Sequence, residues 1–221
     1  MKDCDFSIPK VLADEKTRVL LREKRYQRNV SPLNKWVDRC VQNKNGRKYN
    51  IPYFDPNDGG INATALFLLE APGRQATGSG FISRNNNDGT AANMLAFLQK
   101  SGFKREETIL WNVVPWYVGN DKKIRAVTSE DHKEARSYLK KLLKYLRKLN
   151  VVVLVGKEAQ KELRYLQPCP RLKIFFSPHP SPRNVNSRPD CKKTIIDTFR
   201  KARLATRRPQ NDRGKDAKMA L

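Results

Sequence analysis

The sequence predicts a three-layer α/β/α domain on a four-stranded parallel sheet, and three observations predict it. Four short apolar runs, 65–69, 109–113, 151–155 and 173–177, are strand-sized and mostly continuous, as in strands buried on both faces. Helical stretches alternate with them, the rhythm of parallel strands joined by crossovers. Hydrophobic residues at 38% and aromatics at 9% supply a core, and 221 residues suffice for one full-sized domain.

The elements follow in order. The stretch up to Asn50 is basic and mixed, with a helix expected around 14–24. A second helix is better marked: Ser31 serves as N-cap and Pro32 as first helical residue, with Leu33, Trp36, Val37 and Cys40 on one face. Residues 52–60, rich in Pro, Asn, Asp and Gly, read as turns separating this arm from the core. A helix near 90–100 ends at Gly102. A long helix from about 130 to 149 places Ala135, Leu139, Leu142, Leu146 and Leu149 on one face and lysines elsewhere. His132 falls on this long, exposed helix. A shorter helix over 157–166 follows Gly156, and from about Phe199 a helix end runs into a basic, flexible tail. The expected organisation is a basic helical arm over 1–60 packed on the core, an α/β domain over 61–198 and a tail over 199–221.

Charge narrows the function. Lys and Arg number 45 against 22 acidic residues, a formal net charge of +23. Such a field suits a polyanion and not a small neutral metabolite. The apolar runs are far too short to span a bilayer, and no secretory signal is visible, so a cytoplasmic, nucleoid-associated monomer is expected. The four cysteines, Cys4, Cys40, Cys169 and Cys191, are scattered without a C-x-x-C pair. No phosphate-binding glycine motif follows a strand, which disfavours a nucleotide-binding protein.

Ligands of open parallel sheets bind outside the carboxyl ends of the strands. Here those ends run into Glu70-Ala71-Pro72-Gly73, Trp111-Asn112 and Ser177-Pro178-His179-Pro180-Ser181-Pro182-Arg183. An acid, an amide and an imidazole therefore converge on one edge, in loops stiffened by proline.

Between roughly residues 65 and 189 the chain resembles the uracil-DNA glycosylase superfamily. The resemblance rests on Leu69-Glu70-Ala71-Pro72-Gly73, His179-Pro180-Ser181-Pro182, Gly80-Phe81 at the usual place of the base-stacking aromatic, and Asn112. It implies a DNA-repair glycosylase that hydrolyses the N-glycosidic bond of uracil in DNA. Catalysis then falls to Glu70, Asn112 and His179, base binding to Ala71, Gly73, Phe81 and Asn112, and DNA contact to Ser181, Pro182 and Arg183. Phe81 would stack on an extruded base, Asn112 would read uracil N3–H and O4, and His179 would donate to O2 as charge develops there.

Departures from the family pattern sharpen the expectations. Ala71 stands where some members have a water-activating aspartate, leaving that task to Glu70 or to Asp88. Gly73 stands where the tightest uracil-specific members place a tyrosine, so other deaminated bases are expected substrates too. Arg183 replaces a wedge leucine and can stack or reach a phosphate. Some members hold an iron–sulfur cluster through four cysteines; this chain lacks that pattern, and neither metal nor cofactor is expected. The competing reading is a non-catalytic DNA-binding module of the same fold, which would not need Phe81, Asn112 and His179 together.

Overall fold

The computed structural model describes residues 4–27, 29–41, 49–120, 123–167 and 169–207. The N-terminal helices are α1 (Glu15–Glu23), capped by Asp14, and α2 (Ser31–Val41). There follow β1 (Tyr53–Phe54), β2 (Ala65–Leu69), α3 (Arg74–Ser79), β3 (Phe81–Ile82), α4 (Gly89–Ser101) and β4 (Thr108–Asn112). The remainder comprises α5 (Ser129–Tyr145), β5 (Val151–Val155), α6 (Lys157–Gln160), α7 (Leu163–Leu166), β6 (Lys173–Ser177), α8 (Pro182–Ser187) and α9 (Cys191–Thr206).

The main sheet has four parallel strands in the order β4-β2-β5-β6. Three of its strands fall where the apolar runs predict, and the fourth is displaced by one residue. Register sets the faces: Phe67 pairs with Leu110 and Leu68 with Trp111, so Phe67 and Trp111 point to opposite sides. On one side Phe67 meets Phe103 and Phe199 edge-on, beneath α4 and α9. On the other, Trp111 stacks on Phe54 at 4.2 Å and meets Trp36 of α2 at 5.9 Å. Helices therefore cover both faces of the sheet at β2, β4 and β5, whose residues are mostly apolar and buried, while the edge strand β6 is partly exposed.

Several boundaries differ from the sequence reading. The long helix stops at Tyr145, and Leu146 and Leu149 are buried in the turn beyond it. The helix expected over 157–166 is two single turns, because Glu162 breaks between them to turn its carboxylate inward. The last helix continues to Thr206 with Phe199 and Ala202 buried, so the expected tail starts inside it; residues 208–221 lie outside those described. Among the described residues no helix is long and apolar enough to cross a membrane.

The stretch over 52–60, expected to separate arm from core, is itself buried and carries charge. Asp55 and Asp58 pair with Arg105 at 2.7 and 3.0 Å, and Arg84 lies 3.3 Å from Asp58. Arg105 also donates to Asn85 Oδ1 and to the Phe6 carbonyl, and Ser83 donates to Asp55. This cluster ties the N-terminal segment, the first turns and the loop after β3 into one body. Carboxylates so buried persist only while cations and donors surround them. Arg105→Ala is expected to lower the unfolding free energy by about 3–5 kcal/mol in a urea titration. Arg200→Ala, which breaks an exposed pair with Asp197, is expected to cost less than about 1 kcal/mol. Equal losses for the two variants would contradict a structural role for the cluster.

Candidate active site

Parallel strands of matched register bring their carboxyl ends to one edge, and a cavity of about 410 Å³ opens there. Its walls include Glu70, Ala71 and Gly73 after β2, Ile82, Ser83, Asn86 and Asp88 after α3, Asn112 at the end of β4, and His179 after β6. That volume lies inside the roughly 300–1,000 Å³ range of small-ligand sites, room enough for one nucleobase.

Asn112 closes the β2–β4 ladder opposite Leu69 and is only 5% exposed. Its Oδ1 is buried and finds no hydrogen-bond partner among the described residues. Buried acceptors are ordinarily paired with protein or water, so this carbonyl can take a donor from water or from a ligand in the cavity. The ladder continues past the strand ends, with Val113 N–H donating to Leu69 O and Val114 N–H to Glu70 O. Glu70 and Asn112 are thereby fixed relative to each other.

His179 is held by its own loop. Its Nδ1 accepts from the Ser181 backbone N–H at 3.2 Å, which places the proton of the neutral ring on Nε2. Burial pushes its pKa below the ordinary 6.5, and the nearby Asp88 charge acts against that shift. Gly156, at φ +87°, gives the ring room: a Cβ there would lie 3.1 Å from His179 Cβ and Cδ2. Asn93 donates to the Pro180 carbonyl, and Pro182 packs against Gly89 so closely that a Cβ would come within 2.3 Å. The start of α4 thus buttresses the histidine loop.

The two candidate acids differ in their commitments. Asp88 Oδ1 accepts from Ala91 N–H as the N-cap of α4. Glu70 makes no hydrogen bond or ion pair to the described residues; burial raises its pKa, and the charge of Glu158 raises it further. Arg183 is exposed on α8, whose N-cap is Ser181.

Phe81 requires a correction. It is 0% exposed, packs against Leu12, Leu21 and Tyr53, and is absent from the cavity lining. Strand β3 pairs in parallel with β1, and alternation sends Phe81 toward the N-terminal helices and Ile82 toward the cavity. Ile82, Met94 and Leu110 supply the apolar surface instead, and no Phe, Tyr or Trp lines the cavity among the described residues. The exposed Ile124, at the rim, was also missed. Its loop is anchored by Arg125 on Asp131, with one N···O distance of 2.9 Å.

Among the described residues no group of three or more His, Cys, Asp or Glu is gathered to hold a metal ion. Cys40 and Cys191 lie on α2 and α9, and Cys4 and Cys169 lie in separate loops.

A four-stranded parallel sheet between helix layers, with acid, amide and imidazole at its carboxyl edge, defines an α/β protein with a cavity at that edge. The family model described as Uracil DNA glycosylase superfamily matches residues 56–200, well over half the chain, and the protein belongs to that superfamily. No curated protein matches the chain.

A lowered histidine pKa carries a definite pH consequence. The unfolded chain binds the His179 proton more readily, so this group favours unfolding as pH falls below 6.5 and contributes nothing above it. With two histidines in the chain, His179→Gln assigns the ring signals in an NMR titration. The His179 midpoint is expected below 6.5; a midpoint at or above 6.5 would contradict the buried, neutral ring.

Proposed function

We propose that the protein is a monofunctional DNA glycosylase that hydrolyses the N-glycosidic bond of uracil, and of other deaminated bases, leaving an abasic site. The observation that carries this reading is the unpaired Asn112 Oδ1, buried at the cavity whose other wall holds a neutral histidine. Uracil offers an N3–H donor and two carbonyl acceptors, a set that such a carbonyl and an Nε2–H donor complement. Cytosine has no N3–H to offer.

In this mechanism the target nucleotide leaves the stack, because neither C1′ nor the base edge is accessible within the duplex. Asn112 orients the base over the apolar surface of Ile82, Met94 and Leu110. As the C1′–N1 bond breaks, its electron pair passes into the base and charge accumulates on O2. His179 Nε2–H donates to that oxygen, a contribution of about 3–4 kcal/mol by comparison with oxyanion donors. The Glu70 carboxylate stabilises the positive sugar and orients the water that adds at C1′. The water gives up a proton to solvent, and the departing base takes one. Arg183 and the +23 net charge favour the DNA backbone.

Gly73 sets the base range. A Cβ at this position meets nothing within 4 Å, and its φ of −81° suits any residue. The experiment is incubation of wild type and Gly73→Tyr with oligonucleotides carrying uracil, 5-substituted uracils or hypoxanthine, in EDTA. Wild type is expected to yield alkali-labile sites at uracil and to a lesser degree at the other bases. Gly73→Tyr is expected to fold normally, keep uracil and lose the 5-substituted bases. No cleavage at stoichiometric protein would replace this reading with that of a binding module.

A further inference from the structure

Directly behind the site lies a buried charge cluster that the mechanism above does not use. His132, on the first turns of α5, is only 6% exposed. Its Nδ1 lies 2.8 Å from Glu162 Oε1 and its Nε2 3.2 Å from Glu158 Oε2. Glu162, with its side chain 2% exposed, also accepts from Arg136 Nε at 3.0 Å, and Glu158 pairs with Lys161 at 2.7 Å. Both ring nitrogens thus face carboxylate oxygens, which only accept, so a proton on each nitrogen satisfies both neighbours.

The cluster reaches the site through Glu158. Glu70 and Glu158 line one cavity of about 730 Å³ together with His179, Lys157 and Arg188. Beyond the effect of burial, Glu158 raises the proton affinity of Glu70, while Lys161 and His132 lower it. With a proton on both ring nitrogens, His132 and Lys161 flank Glu158, while Lys157 and Arg188 border the cavity that it shares with Glu70. Removing the imidazolium takes one positive charge from beside Glu158, and two carboxylates bordering one cavity then resist joint ionisation more strongly.

We propose that His132 is a positioning residue for Glu70: it restrains and neutralises Glu158, so that Glu70 stays ionised at the sugar. This rests on the reading of Glu70 as the acting carboxylate.

The test is the pH profile of single-turnover uracil excision by the full chain. His132→Gln keeps a donor but removes the charge. It is expected to move the acid limb up by about one pH unit, while the alkaline plateau stays within a few-fold of wild type. Glu158→Gln alone is expected to move the limb down, and it tests the proposal even if His132→Gln fails to fold. The double variant is expected to bring the limb back toward wild type, which a merely structural histidine would not do. Glu70→Gln separates the two layers of the argument. If Glu70→Gln excises uracil at the wild-type rate, the reading of Glu70 fails. If Glu70→Gln is inactive yet His132→Gln and Glu158→Gln leave the limb in place, the positioning role of His132 fails.

Discussion

The parallel register of the central sheet is the constraint on which the site depends. Leu69 faces Asn112 across β2 and β4, and Val155 faces Ser177 across β5 and β6. Each chain therefore leaves the sheet at the same edge, carrying its polar residue with it. The strands can be this apolar only because helices cover both faces, and that covering drives them together. The edge itself cannot be closed in the same way. Strand ends must turn, and backbone and side-chain polar groups there need partners. Most find them within the loops; Asn112 Oδ1 does not.

Two kinds of polar framework hold this edge open. The first is the cluster of Asp55, Asp58, Arg84 and Arg105, which anchors the loop after β3 and joins it to the N-terminal segment. The N-terminal helices thereby belong to the same body as the sheet, with Trp36 and Leu33 in the common core. The second is the chain Arg136–Glu162–His132–Glu158–Lys161 behind Glu70. Buried charge of this kind is a weak source of stability, since desolvation opposes each ion pair. Its use here is to fix where loops and carboxylates stand.

Much of this was legible in the sequence. Buried parallel strands read as continuous apolar runs, so β2 and β5 could be delimited to the residue. Glycine at a helix end marked Gly102, which adopts φ +79°. The motif residues Glu70, Ala71, Gly73, Asn112 and His179 do share one cavity. The misses have physical causes. A two-residue strand gives no alternation from which to tell Phe81 from Ile82, and the pairing with β1 decides it. His132 was readable, since it falls on the same helical stripe as Ala135, Leu139 and Leu142. Its partners were not, because Glu158 and Glu162 come from a separate stretch of chain that no local pattern joins to it.

The central claim is that the Asn112 amide, with its carbonyl buried and its N–H2 as donor, reads the base. Asn112→Asp changes that group with almost no change in volume, replacing the amide donor by a second acceptor. Single-turnover excision of uracil by this variant, with thermal unfolding measured alongside, tests the claim directly. A fall in rate of at least about 100-fold with the fold retained is the expected result, since a site built around a hydrogen bond strongly rejects its loss. A folded variant that excises uracil within a few-fold of wild type would contradict it.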